Sequence, residues 1–224
     1  MIVYTAIMGS QRDALREIVS PPDPQGRHVE FVCFSDFLTA GDVPPLWEIR
    51  PPLWKHPNPR RMARWHKFMA HVALGEETDF SLWMDGTQQL LVNPWDLVDR
   101  YLTPDRAIAL CRHPERDCVY QELEMCLRLT LDDAETMRRQ VERYREEGYP
   151  AHHGLFETTA ILRSHSPLSR EFNERCWREI NYGSVRDQLC VNYILWKMQL
   201  TPTIMPGQRI ASPYFKFYPH QRGR

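Results

Sequence analysis

The sequence predicts an α/β protein: a mostly parallel sheet flanked by helices, in a single compact domain over residues 1–224. Three observations predict it. Short apolar runs alternate with helical stretches through the first half, the order that builds parallel strands joined by helices. The length of 224 residues fits one large domain with a sizeable core. A hydrophobic share of 42% beside a charged share of 25% is ordinary for a globular chain.

The elements follow in order. "IVYTAIM" (2–8) is a short apolar run suited to a buried strand. "SQRDALREIV" (10–19) reads as a helix with Ser10 as its N-cap. "VEFVCFSDF" (29–37) is a second strand, and the Pro-rich stretch 38–59 is irregular, with a short strand at "WEIRP". Residues 59–74 form a helix opened by Pro59. "FSLWM" then runs into Asp85, Gly86 and Thr87. "NPWDLVDRYL" (93–102) is a helix capped by Asn93 with Pro94 at its first position. "AIALCR" is a strand, 116–147 hold two helical stretches, and "GLFETTAILRS" (154–164) is a strand. Helices over 167–181 and 186–199 and an edge strand at "TPTIMP" close the chain.

Composition narrows the function. A net charge of -1 gives no global field toward nucleic acid or acidic membranes, so no nucleic-acid partner is expected. The 18 prolines against 10 glycines suggest stiff, extended loops. The six cysteines form no C-x-x-C pair, which argues against a zinc ribbon and for reduced thiols. No apolar stretch of about 18 residues occurs, and the N-terminus lacks the positive region of a secretory signal. The expectation is a cytoplasmic protein whose only membrane association would be peripheral, through a partner.

Ligands of open α/β sheets bind beyond the carboxyl ends of the strands. That rule gathers Thr5 to Gly9, Ser35–Asp36 and Asp85–Gly86 at one edge. Asp-Gly is a common turn pair, so Asp85 fits a plain turn as well as a metal anchor, since a hard divalent ion often takes only one or two protein carboxylates. A phosphotransferase nucleophile is excluded, because Trp83 stands where the attacking acid would be. In the 59–74 helix Arg60, Arg64, Lys67 and His71 recur on one face with no acid among them. That is either a solvated stripe or a set of cations for a diphosphate. Alternation in the 154–164 strand places Leu155, Glu157 and Thr159 on one face, and a glutamate there needs a partner or a cleft. Arg186, Asp187 and Gln188 open a helix, where an acid favours the dipole or acts on a polyol as base. His113 follows a strand and is a cleft candidate, whereas adjacent His152 and His153 make a poor metal pair.

Seven stretches carry a family resemblance: "IVYTAIMG", "FVCFSD", "ARWHKFMAH", "SLWMDGT", "HPERDCVYQE", "GYPAHHGLFETTAILR" and "SVRDQLCVNYILWK", spanning residues 2 to 197. The combination of W-M-D-G, G-L-F-E-T and R-D-Q-L resembles a glycosyltransferase-like family, long catalogued as a domain of unknown function. That family includes plant proteins tied to seed mucilage and turgor and many bacterial members. The resemblance implies a GT-A fold, with a nucleotide-sugar-binding half over about residues 1–110 and an acceptor-binding half over about 111–224. It implies sugar transfer from a nucleotide-sugar donor to a glycan or surface-polysaccharide acceptor, helped by Mn²⁺ or Mg²⁺. Asp85 then stands for the acid of a D-x-D motif, with Trp83 in place of its first acid, and His220 would complete the metal shell. Thr5, Ala6 and Asp36 fall where the nucleoside binds, and Arg64 and Lys67 on the donor helix. Arg60, Gly86, His113, Arg186 and Gln188 are expected in the same donor site. Glu157 and Asp187 would face the transferred sugar and acceptor as catalytic carboxylates. Two alternatives stay open: a degenerate GT-A domain that binds without turnover, and a nucleotide-sugar hydrolase or pyrophosphorylase-type enzyme. The latter normally carries a Gly-rich phosphate loop, where "MGSQRD" offers one glycine.

Overall fold

A computed structural model describes residues 1–9 and 14–219. The strands are β1 (Ile2–Ile7), β2 (Glu30–Ser35), β3 (Trp47–Arg50), β4 (Phe80–Met84), β5 (Gln88–Leu90), β6 (Ile108–Arg112), β7 (Phe156–Ser164), β8 (Thr203–Met205) and β9 (Phe215–Phe217). The helices are α1 (Pro59–Phe68), α2 (Ala70–Ala73), α3 (Pro94–Tyr101), α4 (Val119–Arg128), α5 (Ala134–Glu146), α6 (Pro167–Tyr182) and α7 (Asp187–Lys197). Seven strands form one sheet in the order β3-β2-β1-β4-β7-β6-β8, and β5 pairs with β9 in a small second sheet. β1 runs parallel to β2 and β4, β8 runs parallel to β6, and β7 alone is reversed, antiparallel to both β4 and β6. The mostly parallel α/β expectation holds.

Sequence pattern explains the layers. All six residues of β1 are buried, as a central strand requires. Tyr4, Ala6 and Met8 face one core with Met62, Trp65 and Phe68 of α1 and the apolar sides of α4 to α7. Val3 and Ile7 face a second core with Leu97, Val98 and Tyr101 of α3. One face of the sheet thus carries most of the helices. Asn93 caps α3, its side chain accepting from the Trp95 N–H, with Pro94 at the first position. No helix among the described residues is long and apolar enough to cross a membrane.

Two helical expectations need correction. Residues 10–13, with the proposed cap Ser10, lie outside the described residues, and 14–19 are not helical. The reason is competition for the backbone: the Trp47 indole donates to the Arg16 carbonyl and the Gln89 amide to the Glu17 carbonyl, while Leu15 is drawn into the core. The 59–74 helix breaks at Met69, whose backbone (φ -90, ψ 39) leaves the helical region. The Lys67 carbonyl, which would accept from His71 N–H in a continuous helix, instead accepts from the Tyr4 hydroxyl (2.9 Å) and Arg163 Nη2 (2.9 Å). His71 therefore leaves the basic stripe and stands 3.4 Å from Glu174 of α6.

Candidate active site

β4 delivers Asp85 to the carboxyl edge of the sheet. Its N–H donates to the Thr159 carbonyl at 2.8 Å, and its own carbonyl accepts from the Gln88 N–H at 2.9 Å, closing an Asp-Gly turn into β5. The turn does not bury the side chain, which points into a cleft of about 760 Å³. Ala6, Arg60, Arg64, Asp85, Gly86, His113, Glu157, Arg186, Asp187 and Gln188 all line it. Ten of the residues singled out from the sequence thus meet around one cavity.

Reversal of β7 explains how Glu157 arrives there. A strand running backward brings its N-terminal end to the edge where its neighbours end. The β6–β7 register jumps from Leu110–Ile161 to Cys111–Glu157, so Thr158 to Ala160 bulge from the ladder. The expected alternation fails at this bulge: Glu157, Thr158 and Thr159 all line the cleft.

Charge in the cleft is strongly arranged. Lys67 is fully buried, with Nζ 2.5 Å from Asp187 Oδ2 and 3.5 Å from Asp85 Oδ1. It does not line the cavity; it lies beneath the wall as a shared counter-ion. Arg64 Nε stands 3.2 Å from Asp187 Oδ1. Burial would raise the Asp187 carboxyl, but the Arg64 and Lys67 charges outweigh it and hold that group well below its ordinary value. Glu157 behaves oppositely: burial pushes it up, the Arg209 N–H and charge pull it down, and Asp85 adds to the rise. Its Oε2 accepts from the Arg209 N–H at 2.5 Å. Arg60 and Arg186 share the wall as like charges; burial, then Arg186 and Arg64, depress Arg60 from its ordinary value. Arg60 Nη1 donates to the Leu131 carbonyl at 2.7 Å.

Three candidates lie off the wall. Thr5 is buried on the opposite face of β1 from Ala6. Asp36 Oδ1 accepts from the Gly9 N–H at 2.8 Å, bracing the turn after β1. That turn needs glycine, with φ +63 and Pro59 Cγ 2.8 Å from where a Cβ would sit. Lys67 is the third. His113 lines the cleft, and its Nδ1 accepts from the Arg116 N–H at 3.0 Å, folding the 113–116 loop. His220 lies outside the described residues.

The cleft also contains residues to which the sequence assigned no role in the site. Trp83 Nε1–H donates to Asp85 Oδ1 at 2.8 Å. Arg116 pairs with buried Glu122 at 2.8 Å. Arg209 and Ile210 reach the cleft from the C-terminal segment, which β9 straps to β5 while the Gln88 amide donates to the Arg209 carbonyl. The aromatic run Tyr214, Phe215, Phe217 and Tyr218 signals that this segment packs, but not against what, since a three-residue strand pairing across more than 120 positions leaves no short-range pattern.

A hard divalent ion is the group that the family resemblance leads one to expect. Asp85 offers Oδ2, which takes no hydrogen bond among the described residues, on a side chain 28% exposed to the cleft. Among the described residues no group of three or more His, Cys, Asp or Glu could enclose a metal. The donor set fits an ion that keeps most of its water and takes further oxygens from a ligand, and does not fit a closed protein cage.

The sheet order, the cleft at its carboxyl edge and Asp85 at the end of β4 define a GT-A-type glycosyltransferase fold. The chain is similar to mouse xyloside xylosyltransferase 1 (TM-score 0.53, 10% identity, 91% of this chain and 83% of that one). It is similar in the same degree to the bifunctional glycosyltransferase WbbM (TM-score 0.53, 10% identity, 92% and 38%). Residues 49–208 match the TOD1/MUCI70 glycosyltransferase-like domain, and the chain belongs to that family. Among relatives from Arabidopsis thaliana, the probable hexosyltransferase MUCI70 is 30% identical over 139 residues, covering 58% of this chain and 24% of its own length. The alkaline ceramidase TOD1 is 24% identical over 227 residues, covering 87% of this chain and 48% of its own. The chain thus spans about a quarter to about half the length of these relatives.

Proposed function

We propose that this protein transfers a sugar from a nucleotide-sugar donor to a hydroxyl of a glycan or surface-polysaccharide acceptor. One observation carries the reading: the Asp85 carboxylate and the guanidiniums of Arg60, Arg64 and Arg186 line the same cleft. A diphosphate has the charge and the spaced oxygens that such a wall recognises. On this reading residues 1–110 supply most of the donor site, His113, Arg186 and Gln188 complete it, and the rest of 111–224 holds the acceptor. A Mn²⁺ or Mg²⁺ ion on Asp85 Oδ2, completed by water and the diphosphate, would neutralise charge on the leaving group.

The residues divide the work by their environments. Charge grows on the diphosphate's bridging oxygen as the glycosidic bond breaks, and Arg60, Arg64 and Arg186 stabilise it. Of the two catalytic candidates, Glu157 is suited to take the acceptor proton, because burial raises its affinity for one. Asp187, clamped by Lys67 and Arg64, holds the cationic wall in place. All six cysteines stand as free, buried thiols, which agrees with a cytoplasmic setting. The ceramidase name of one relative points to amide hydrolysis; the guanidinium wall favours transfer from a phosphate-bearing donor.

The test is incubation with a panel of nucleotide sugars, with and without Mn²⁺, reading released nucleotide. Release from at least one donor, stimulated by an added acceptor, is the expected result. Tight nucleotide binding with no release from any donor would favour a binding module, as the tryptophan in place of an acid would suggest. Neither binding nor release would remove the donor-site reading.

A further inference from the structure

We infer that Trp83 is a positioning residue for Asp85: its indole N–H fixes the orientation of the carboxylate, so that one oxygen is held toward the protein and the other is presented to the ligand. The inference rests on the donor-site reading above and goes beyond it, because it gives a role to the residue that replaces an acid. The N–H donates to Oδ1 at 2.8 Å, and the Lys67 ammonium stands 3.5 Å from that same oxygen. Oδ1 is thus held twice from the protein side, and Oδ2 takes no hydrogen bond among the described residues.

Without such a hold the carboxylate torsion is broad, so no oxygen would be fixed toward the cleft. Trp83 is itself immobile: it is 1% exposed, Tyr4 packs edge-on with ring centroids 5.2 Å apart, and Lys67 Nζ stands 5.3 Å from the indole centroid. Tyr4 is fixed in turn by accepting from Arg163 Nη2 at 2.6 Å and donating to the Lys67 carbonyl. Lys67 is fixed by Asp187 at 2.5 Å. A rigid run of groups therefore joins the N-terminus of α7 to the end of β4, and the indole N–H is its last link to Asp85. Partners that orient a metal-binding carboxylate typically contribute about 10–100-fold in metal affinity.

The experiment is calorimetric titration of the full chain with UDP, once with Mn²⁺ and once with a chelator. The variants are Trp83→Phe and replacement of Trp83 by β-(3-benzothienyl)alanine, which keeps the ring shape and substitutes sulfur for the N–H. Leu82→Val serves as control, being buried on the same strand but in the other core. Both Trp83 variants should weaken the Mn²⁺-dependent component of UDP affinity by about 10–100-fold while leaving the metal-free component at the wild-type value. The control should leave both unchanged. An undiminished Mn²⁺-dependent component in the isosteric variant overturns the inference, and so does an equal loss with and without metal. If Trp83→Phe fails to fold, the isosteric variant decides. Wild type that binds none of UDP, GDP, ADP and CDP under either condition sinks the donor-site reading itself, and this inference falls with it; where another diphosphate binds, the same titrations are run with that one. Wild-type binding with unaltered variants sinks the inference alone.

Discussion

Asp187→Asn is the substitution whose cost follows most directly from the structure. The Asp187 side chain is 3% exposed, with Lys67 Nζ at 2.5 Å and Arg64 Nε at 3.2 Å. Removing its charge leaves the fully buried Lys67 ammonium with only Asp85, 3.5 Å away. Breaking one side of a buried pair costs about 3–5 kcal/mol. Asparagine keeps the size and one acceptor oxygen, so the low end applies, about 3 kcal/mol. In a chain of this size each 1 kcal/mol moves Tm by about 2–4 °C, so a drop of about 6–12 °C is expected. Urea denaturation should show a lowered midpoint with an unchanged slope. The pH dependence has a definite sign. A carboxyl depressed below its ordinary 3.8 stabilises the fold above that value and loses its contribution as pH falls toward the lower folded value. The gap between wild type and variant should therefore be flat from pH 7 to 5 and shrink below about pH 4. A variant within about 0.5 kcal/mol of wild type, the range of neutral surface changes, or a gap that widens on acidification, would refute the counter-ion assignment.

Other outcomes follow from the same geometry. Arg60→Ala and Arg186→Ala should each weaken UDP binding by about 10- to 100-fold, the worth of one charged hydrogen bond, and the loss should shrink at high salt; calorimetry at two ionic strengths checks this. Glu157→Gln should leave UDP affinity unchanged but lower transfer by about 10²–10⁴-fold. Wild-type transfer should fall as pH drops through the Glu157 value, which lies above the ordinary 4.5, and the variant should lose that limb in a pH–rate profile. His66 and His165 are held neutral by burial, down to about 4 and about 3. The unfolded chain binds their protons first, so stability should fall as pH drops from 6.5 toward 4, by up to about 1.4 kcal/mol per pH unit for each. Urea midpoints across that range, with His165→Asn as comparison, measure it.

Much of the architecture was legible because it rests on local pattern. Apolar runs gave β1, β2, β4 and β6; Asn93 with Pro94 marked α3; Asp85 was legible as a strand-end acid. Periodicity reports which face a residue shares and not how deep that face lies. Arg60, Arg64 and Lys67 fall on one stripe, yet Arg60 and Arg64 line the cavity while Lys67 is sealed beneath it. The reversal of β7 was invisible because strand direction is set by partners distant in sequence, and it is this reversal that turns Glu157 from a mid-strand acid into a cleft residue. The helix expected near the N-terminus failed for a related reason: Trp47 and Gln89, far along the chain, capture the carbonyls it would need. Trp83 read as the loss of an acid, because a motif compares residue types and cannot show that an indole N–H points at the neighbouring carboxylate.

Sugar transfer at this site requires that Asp85 and the cationic face of α1 address one diphosphate. A crystal structure of the protein soaked with UDP and Mn²⁺ tests that directly. Diphosphate density is expected in the cleft, within hydrogen-bond reach of Arg60, Arg64 or Arg186, with the ion against Asp85 Oδ2. Density at another place, such as the groove between α5 and α6 lined by Arg139, Arg143 and Arg178, with the Asp85 cleft holding only water, would contradict it.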